Sequence, residues 1–273
     1  TPNANAPQLA SIPPRTVHHG SLEFNDSIAV LPRQLLDGLG SFMVEFMYRT
    51  DQIQNAAILS VARDDVGSNE FLVALLEPRK LRIIDQTRPW WDFTFPGHIT
   101  TTMDDGEWHH YAITRDAERG TIRVFVDGKS VGVGDVNGAI PRLQVGLGGI
   151  VVGQEQDDLN GQYDSNQAAY GHLDELRFWN KFWEDDIEAK EPALQQKRIV
   201  GTLLRWVGFH GVTSDQENLS DLRAQYKFDE VSGDRIFDST PNWFHGTLGD
   251  DTIGNFDADR DTRPAPLRGP SSP

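Results

Sequence analysis

Gly106–Arg115 (GEWHHYAITR) followed by Gly120–Lys129 (GTIRVFVDGK) decides the fold. In the first stretch Tyr111 and Ile113 fall on one side of an extended backbone. In the second, Ile122, Val124 and Val126 do the same. Successive side chains of a strand point to opposite faces, so a period of two marks strands with one face in a core. Asp127-Gly128 then supplies a tight turn, because both residues tolerate the positive φ that a two-residue hairpin needs.

The same pattern extends outward in both directions. Phe42, Val44, Phe46 and Tyr48 alternate, and Ala57–Ala62, Phe71–Leu76, Lys80–Ile84 and Gly149–Val152 are further strand-like runs. Such runs at close spacing predict an all-β protein: two antiparallel sheets in a jelly-roll sandwich. Phe42, Val44, Phe46, Ile122, Val124 and Val126 are expected between the sheets. One region departs from this. Phe182–Leu204 is rich in Glu, Ala, Leu, Gln and Lys and predicts a helix from Trp183 to about Gln196, packed through Ile187 and Leu194 and interrupted at Pro192. Leu222–Phe228 reads as a last strand. The chain divides into a linker-like segment 1–20, a sandwich 21–181, and a helix plus C-terminal extension 182–273. The extension either packs on the sandwich or leads to a neighbouring unit.

The 273 residues carry 25 Lys and Arg against 41 Asp and Glu, a net charge of −16. Tracking phosphates requires the opposite excess, which argues against nucleic acid as a partner and against bulk-charge binding to anionic membranes. An acidic chain suits the collection of divalent cations or solubility through self-repulsion. Cysteine is absent, which removes disulfides, zinc thiolates and thiol nucleophiles. No apolar run reaches the roughly 18 residues of a transmembrane segment. Thr1–Pro14 lacks the basic and apolar regions of a signal peptide, and the missing initiator methionine fits processing or excision from a longer chain.

Gly106–Arg115 with Gly120–Lys129, Gly171–Asn180 (GHLDELRFWN) and Ile150–Asp157 (IVVGQEQD) together resemble the laminin-G/pentraxin group of concanavalin A-like sandwiches. Tyr226–Gly233, Asp238–Asn242 and His245–Leu248 are similar to a segment that flanks laminin-G-like units. The resemblance implies a calcium loop. Glu155 and Asp157 would bridge two ions, Asn69 and the Gln156 carbonyl would complete one site, and Asp164 and Gln167 the other. It also marks two departures. Positions matching a vertebrate pentraxin disulfide hold Glu45 and Ala112, and Ser68-Asn69 stands where an Asp-Asn pair feeds the calcium, so one carboxylate is lost.

The residues themselves support the ion. Glu155-x-Asp157 on an extended backbone puts two carboxylates on one side, roughly 6.6 Å apart at Cα. Calcium takes about six to eight oxygens, and amide and peptide oxygens fill coordination without adding repulsion. Beside the loop candidates, Trp90-Trp91 offers an aromatic platform for sugar rings, with one ring of the pair expected inward. Trp108 and Trp179 read as core. His18-His19 reads as solvated, His109 and His110 point to opposite faces, and His172 reads as structural. Catalytic residues are not expected: a glucanase strand would need a third acid, and Leu159 stands there. No Gly-x-Ser-x-Gly, Walker or His-Glu-x-x-His motif occurs.

The functional expectation is an extracellular, non-enzymatic recognition module that reaches glycans or anionic head groups through Ca2+, with homo-oligomers or repeats in a larger assembly as further partners. The alternative is a structural or adhesive unit of a fibre or surface assembly in which calcium stiffens a loop.

Overall fold

The computed structural model describes residues 20–53, 55–64, 69–86, 90–156, 163–180, 221–230 and 233–249, and the backbone of 263–264 and 267–268. The alternating runs form β1 (Ser21–Asn25), β2 (Ser27–Leu31), β3 (Phe42–Arg49), β4 (Ala56–Ala62), β5 (Asn69–Glu77), β6 (Lys80–Asp85), β7 (Trp91–Thr94), β8 (His109–Asp116) and β9 (Thr121–Val126). They continue with β10 (Lys129–Asp135), β11 (Ile150–Val152), β12 (Tyr170–Trp179), β13 (Leu222–Tyr226), β14 (Arg235–Ile236), β15 (Gly246–Leu248), β16 (Arg263–Pro264) and β17 (Leu267–Arg268).

Two sheets face each other. The first runs β10-β9-β8-β3-β12-β1-β17, with β13 beside the second half of β12; the other runs β14-β15-β2-β11-β4-β5-β6-β7, with β16 beside β2. Every pairing is antiparallel except β16 with β2. The Asp127-Gly128 turn has φ of 50° and 70° at its two residues, the positive values expected of a tight hairpin.

Period-two burial does what the sequence predicts. Phe42, Val44, Phe46, Ile122, Val124 and Val126 join Tyr111 and Ile113 in one core with Val61, Phe71, Val73, Leu81 and Ile83 of the opposite sheet. The Phe42 and Phe71 rings meet edge-on at 5.3 Å across the sandwich. Fully burying each such side chain stabilises by about 1.5–3 kcal/mol. At one end a buried ion pair ties the sheets: Arg115 of β8 donates to both Asp85 oxygens of β6, at 2.8 and 3.1 Å.

The described part of the extension packs on the same sandwich. β13 pairs β12 in the first sheet, while β14 and β15 continue the second sheet from β2. The helix expected over Trp183–Gln196 lies outside the described residues. Among the described residues no helix is long and apolar enough to cross a membrane.

Candidate functional site

The acidic loop leaves the second sheet where β11 ends. Gly153 has φ of 98°, and a Cβ there would stand 2.5 Å from the Phe24 ring, so only glycine fits. Gly153 N donates to Ile58 O at 3.1 Å, and Ala169 N returns to Gly153 O at 2.8 Å, so the loop leaves and rejoins the sheet at one point. Asp26, between β1 and β2 with φ of 52°, pins both halves. Gln154 Nε2 donates to its Oδ1 at 2.6 Å, and Ser165 Oγ to its Oδ2 at 2.8 Å. Tyr163 packs over Ile28, Val30 and Val151 on the outer face of the sheet.

The sequence-derived ligands fall as follows. Asn69 opens β5, and its Nδ2 donates to Glu155 Oε1 at 2.5 Å. Glu155 itself is buried. Gln156 turns its side chain into the sheet, donating Nε2 to Ser60 O at 3.2 Å and to Gly149 O at 3.4 Å, while its backbone N donates to Ser60 Oγ at 2.9 Å. Asp164 is exposed and caps the 3-10 turn Ser165–Gln167, its Oδ1 accepting from Asn166 N and Nδ2 at 2.9 and 2.8 Å. Gln167 sits on that turn, which packs against β4. Asp157 lies outside the described residues. Among the described residues no three Asp, Glu or His side chains gather into a metal-sized cluster.

The donor chemistry nonetheless fits a hard cation. Asn69 Oδ1, Gln154 Oε1 and Gln167 Oε1 are all buried and accept no hydrogen bond. A buried acceptor without a donor costs about 1–3 kcal/mol. Neutral oxygens beside a buried carboxylate are the mixture that calcium takes. Asp26 and Gln154 were not legible as site residues. The only local signal is the turn at Asn25-Asp26, and nothing in the spacing links it to a loop 128 residues away.

Trp90 and Trp91 part company. Trp91 is half-buried against the core, with Gly134 beneath its ring, so close that a Cβ there would lie 2.7 Å from it. Trp90 is 58% exposed, and the Arg82 guanidinium lies 4.4 Å from its ring centre. Arg82 donates to both Asp92 oxygens at 2.7 and 2.9 Å. The Asp92 bond, with the field of Glu155 added, raises its pKa. Trp90 and Arg82 therefore form one exposed stacked pair on the second sheet.

Of the remaining candidates, Trp179 is buried as expected, but Trp108 is only half-buried. It lies under the Arg49 guanidinium at 5.2 Å, because its place just before β8 puts it at the sheet's end rather than between the sheets. His109 sits between Asp127 and Asp105, at 2.8 and 3.0 Å. Burial alone would lower its pKa; the two carboxylates override this and raise it to about 9. His172 Nδ1 lies 3.2 Å from Ser21 Oγ. His18-His19 lies outside the described residues.

Residues 23–186, more than half of the chain, match the laminin-G family model described as the concanavalin A-like lectin/glucanases superfamily. The chain belongs to this superfamily, as a laminin-G/pentraxin-like domain. It is 35% identical over 106 residues to neuronal pentraxin-2 of Mus musculus, covering 38% of this chain and 24% of the relative. It is 32% identical over 107 residues to C-reactive protein 1.4 of Limulus polyphemus, covering 37% and 43%. The matched part thus spans about a quarter to less than half of these relatives' length. Among solved structures, a Bacteroides ovatus protein described as carbohydrate binding superposes with a TM-score of 0.55 at 18% identity, covering 84% of this chain and 58% of that one.

In this laminin-G/pentraxin-like domain Glu45 and Ala112, where the resemblance places a disulfide, are direct partners across β3 and β8. A polar network stands in for the bridge. Glu45 Oε2 lies 3.1 Å from His110 Nε2, and its Oε1 accepts from Trp179 Nε1 at 2.9 Å, with Arg177 Nη1 at 3.6 Å. Burial would raise the Glu45 pKa; His110, Arg177 and Trp179 outweigh it and hold the carboxyl below its usual value.

Proposed function

We propose that the domain is an extracellular, non-catalytic recognition module that binds glycans or anionic head groups through calcium. Asn69, Glu155, the Gln156 carbonyl, Asp157, Asp164 and Gln167 would hold the ion. The observation that carries this reading is the contact of Asn69 with the buried Glu155, in a region where Asn69, Gln154 and Gln167 each keep a buried amide oxygen that accepts no hydrogen bond. The Asn69 amide hydrogens point at Glu155 Oε1. Calcium would replace them and allow the amide to present its oxygen.

Anchoring of the Gln156 side chain to β4 and to Gly149 leaves its carbonyl as the group it can offer. Asp164 keeps Oδ2 for the ion while Oδ1 caps the turn. Three carboxylates against two dications leave a positive surplus, which attracts hydroxyl pairs or phosphate oxygens. With Ser68 in place of an acid, affinity should fall in the roughly 10⁻⁴–10⁻³ M range of extracellular calcium modules. The superfamily includes glucanases, but retaining or inverting hydrolysis needs two placed carboxyl groups flanking the bond. Here Leu159 stands at the position of the third acid of the glucanase strand.

The test is capture on a glycan array and on phosphatidylserine vesicles, with millimolar calcium or with EDTA. Retention on either surface that is lost in EDTA supports the proposal. Calcium binding without capture of either ligand favours a structural role for the loop.

A further inference from the structure

We propose a second, calcium-independent binding site for neutral oligosaccharides on the C-terminal extension, built around Trp243, His245 and Phe237. It lies outside residues 23–186, so nothing about it is carried over from the family match. Among the described residues, five large hydrophobic side chains are exposed, and two of them pack against one histidine. Trp243 is 73% exposed and its ring lies 5.8 Å from that of His245; Phe237 is 46% exposed at 5.1 Å. Leu147, 69% exposed, lines the same 310 Å³ cleft as His245, together with Arg33, Gln34 and Thr247. Concentrated exposed apolar surface marks an interaction site.

The rings are held in place. The buried Asp238 organises the turn that carries them: Oδ1 accepts from Gln225 N and Thr240 N at 3.0 and 2.9 Å, and Oδ2 from Thr240 Oγ1 and Phe244 N at 2.8 and 3.0 Å. Tyr226 Oη donates to Phe244 O at 2.5 Å. Between these anchors Trp243 adopts φ of 61°, a left-handed conformation unfavourable for a bulky residue. Strain of this kind persists only where the surroundings impose it, and it collects at ligand-binding positions.

The chemistry favours a sugar chain. His245 Nδ1 accepts from Asp238 N at 3.0 Å, which places the neutral ring's proton on Nε2 as a donor at the cleft. The Phe237 and Trp243 rings incline to the imidazole by 72° and 54°. Faces that turn in this way match successive rings of a twisted oligosaccharide, whose C–H faces stack while hydroxyls meet the polar groups between. Nearby cations are engaged: Arg33 pairs with Asp37 at 2.9 Å, and Arg235 lies over Phe237 at 5.4 Å. With a net charge of −16, the chain favours a neutral glycan over an anionic one.

The experiment is isothermal titration of the whole chain in EDTA with cellohexaose, xylohexaose and laminarihexaose, using wild type, Trp243→Ala, Trp243→Phe and, as a control, the exposed Val133→Ala of β10. At least one hexasaccharide should bind. Trp243→Ala should weaken it about tenfold, Trp243→Phe should retain most of the affinity, and Val133→Ala should change nothing. Matching melting temperatures exclude misfolding as the cause. Absence of binding by all three at millimolar sugar, or equal affinity in Trp243→Ala, overturns the proposal. So does a dimer in sedimentation that Trp243→Ala dissolves, which would assign the face to a second copy. Because EDTA removes calcium, failure here is separable from failure of the loop reading.

Discussion

On the outer side of the first sheet, Glu45 is buried and receives His110, Trp179 and Arg177. In the segment that follows β11, Glu155 is also buried, yet Asn69, Gln154 and Gln167 keep buried oxygens that accept no hydrogen bond. Both are buried carboxylates in polar surroundings on the same sandwich. They differ in their partners. Glu45 is held by charged and donating side chains of its own sheet and so acts as a staple at the position where the family resemblance expects a disulfide. Glu155 accepts from the Asn69 amide, and the buried amide oxygens of Asn69, Gln154 and Gln167, which accept no hydrogen bond, are the ground on which the calcium proposal rests.

Removing a staple should therefore cost far more than removing a ligand. Glu45→Ala leaves His110 and Arg177 facing a buried void, and loss of one partner from a buried pair costs about 3–5 kcal/mol. The melting temperature should drop by about 10 °C. Glu155→Gln measured in EDTA should leave the melting temperature level or raised, since it removes a buried charge. Equal losses in the two variants would erase the contrast.

The next effect concerns His109. Its folded pKa of about 9 lies above the unfolded value near 6.5. Its stabilisation is full below 6.5 and is lost as pH rises through 9. Urea unfolding should show on the order of 2 kcal/mol lost between pH 6.5 and 9.5, and His109→Asn should flatten that slope. The Glu45 network shifts the other way, its contribution disappearing as pH falls through the carboxylate range.

Asp26→Ala should have a smaller global effect, about 1 kcal/mol for the hydrogen bonds it removes. Its signature is local: amide exchange across the described parts of the acidic loop should accelerate while β3 and β8 stay protected, and calcium affinity should fall. Trp90→Ala comes last. With the ring in solvent and only Arg82 stacked on it, stability should change by less than about 1 kcal/mol, and any effect should appear in ligand capture.

The fold was legible because alternation is local. Phe42, Val44 and Phe46 announce their face within five residues, and Asp127-Gly128 declares its own turn. The family resemblance grouped Glu155 with Asn69, and the structure places their side chains in contact across 86 residues of chain. What escaped is what depends on distant partners. Asp26 has no pattern of its own until Gln154 and Ser165 fold onto it. Glu45 looks like a misplaced charge in an apolar strand until register sets it beside His110 and Trp179. Trp108 sits in a strand-like run, but its exposure is set by where β8 begins.

Calcium titration by calorimetry, on wild type and Glu155→Gln, tests the central claim most directly. Wild type should bind with a Kd of about 10⁻⁴–10⁻³ M, and its melting temperature should rise with calcium by mass action. Glu155→Gln should lose both the heat and the rise while remaining folded. No heat for wild type at several times that concentration, about 10 mM, or undiminished binding in Glu155→Gln, would contradict the account.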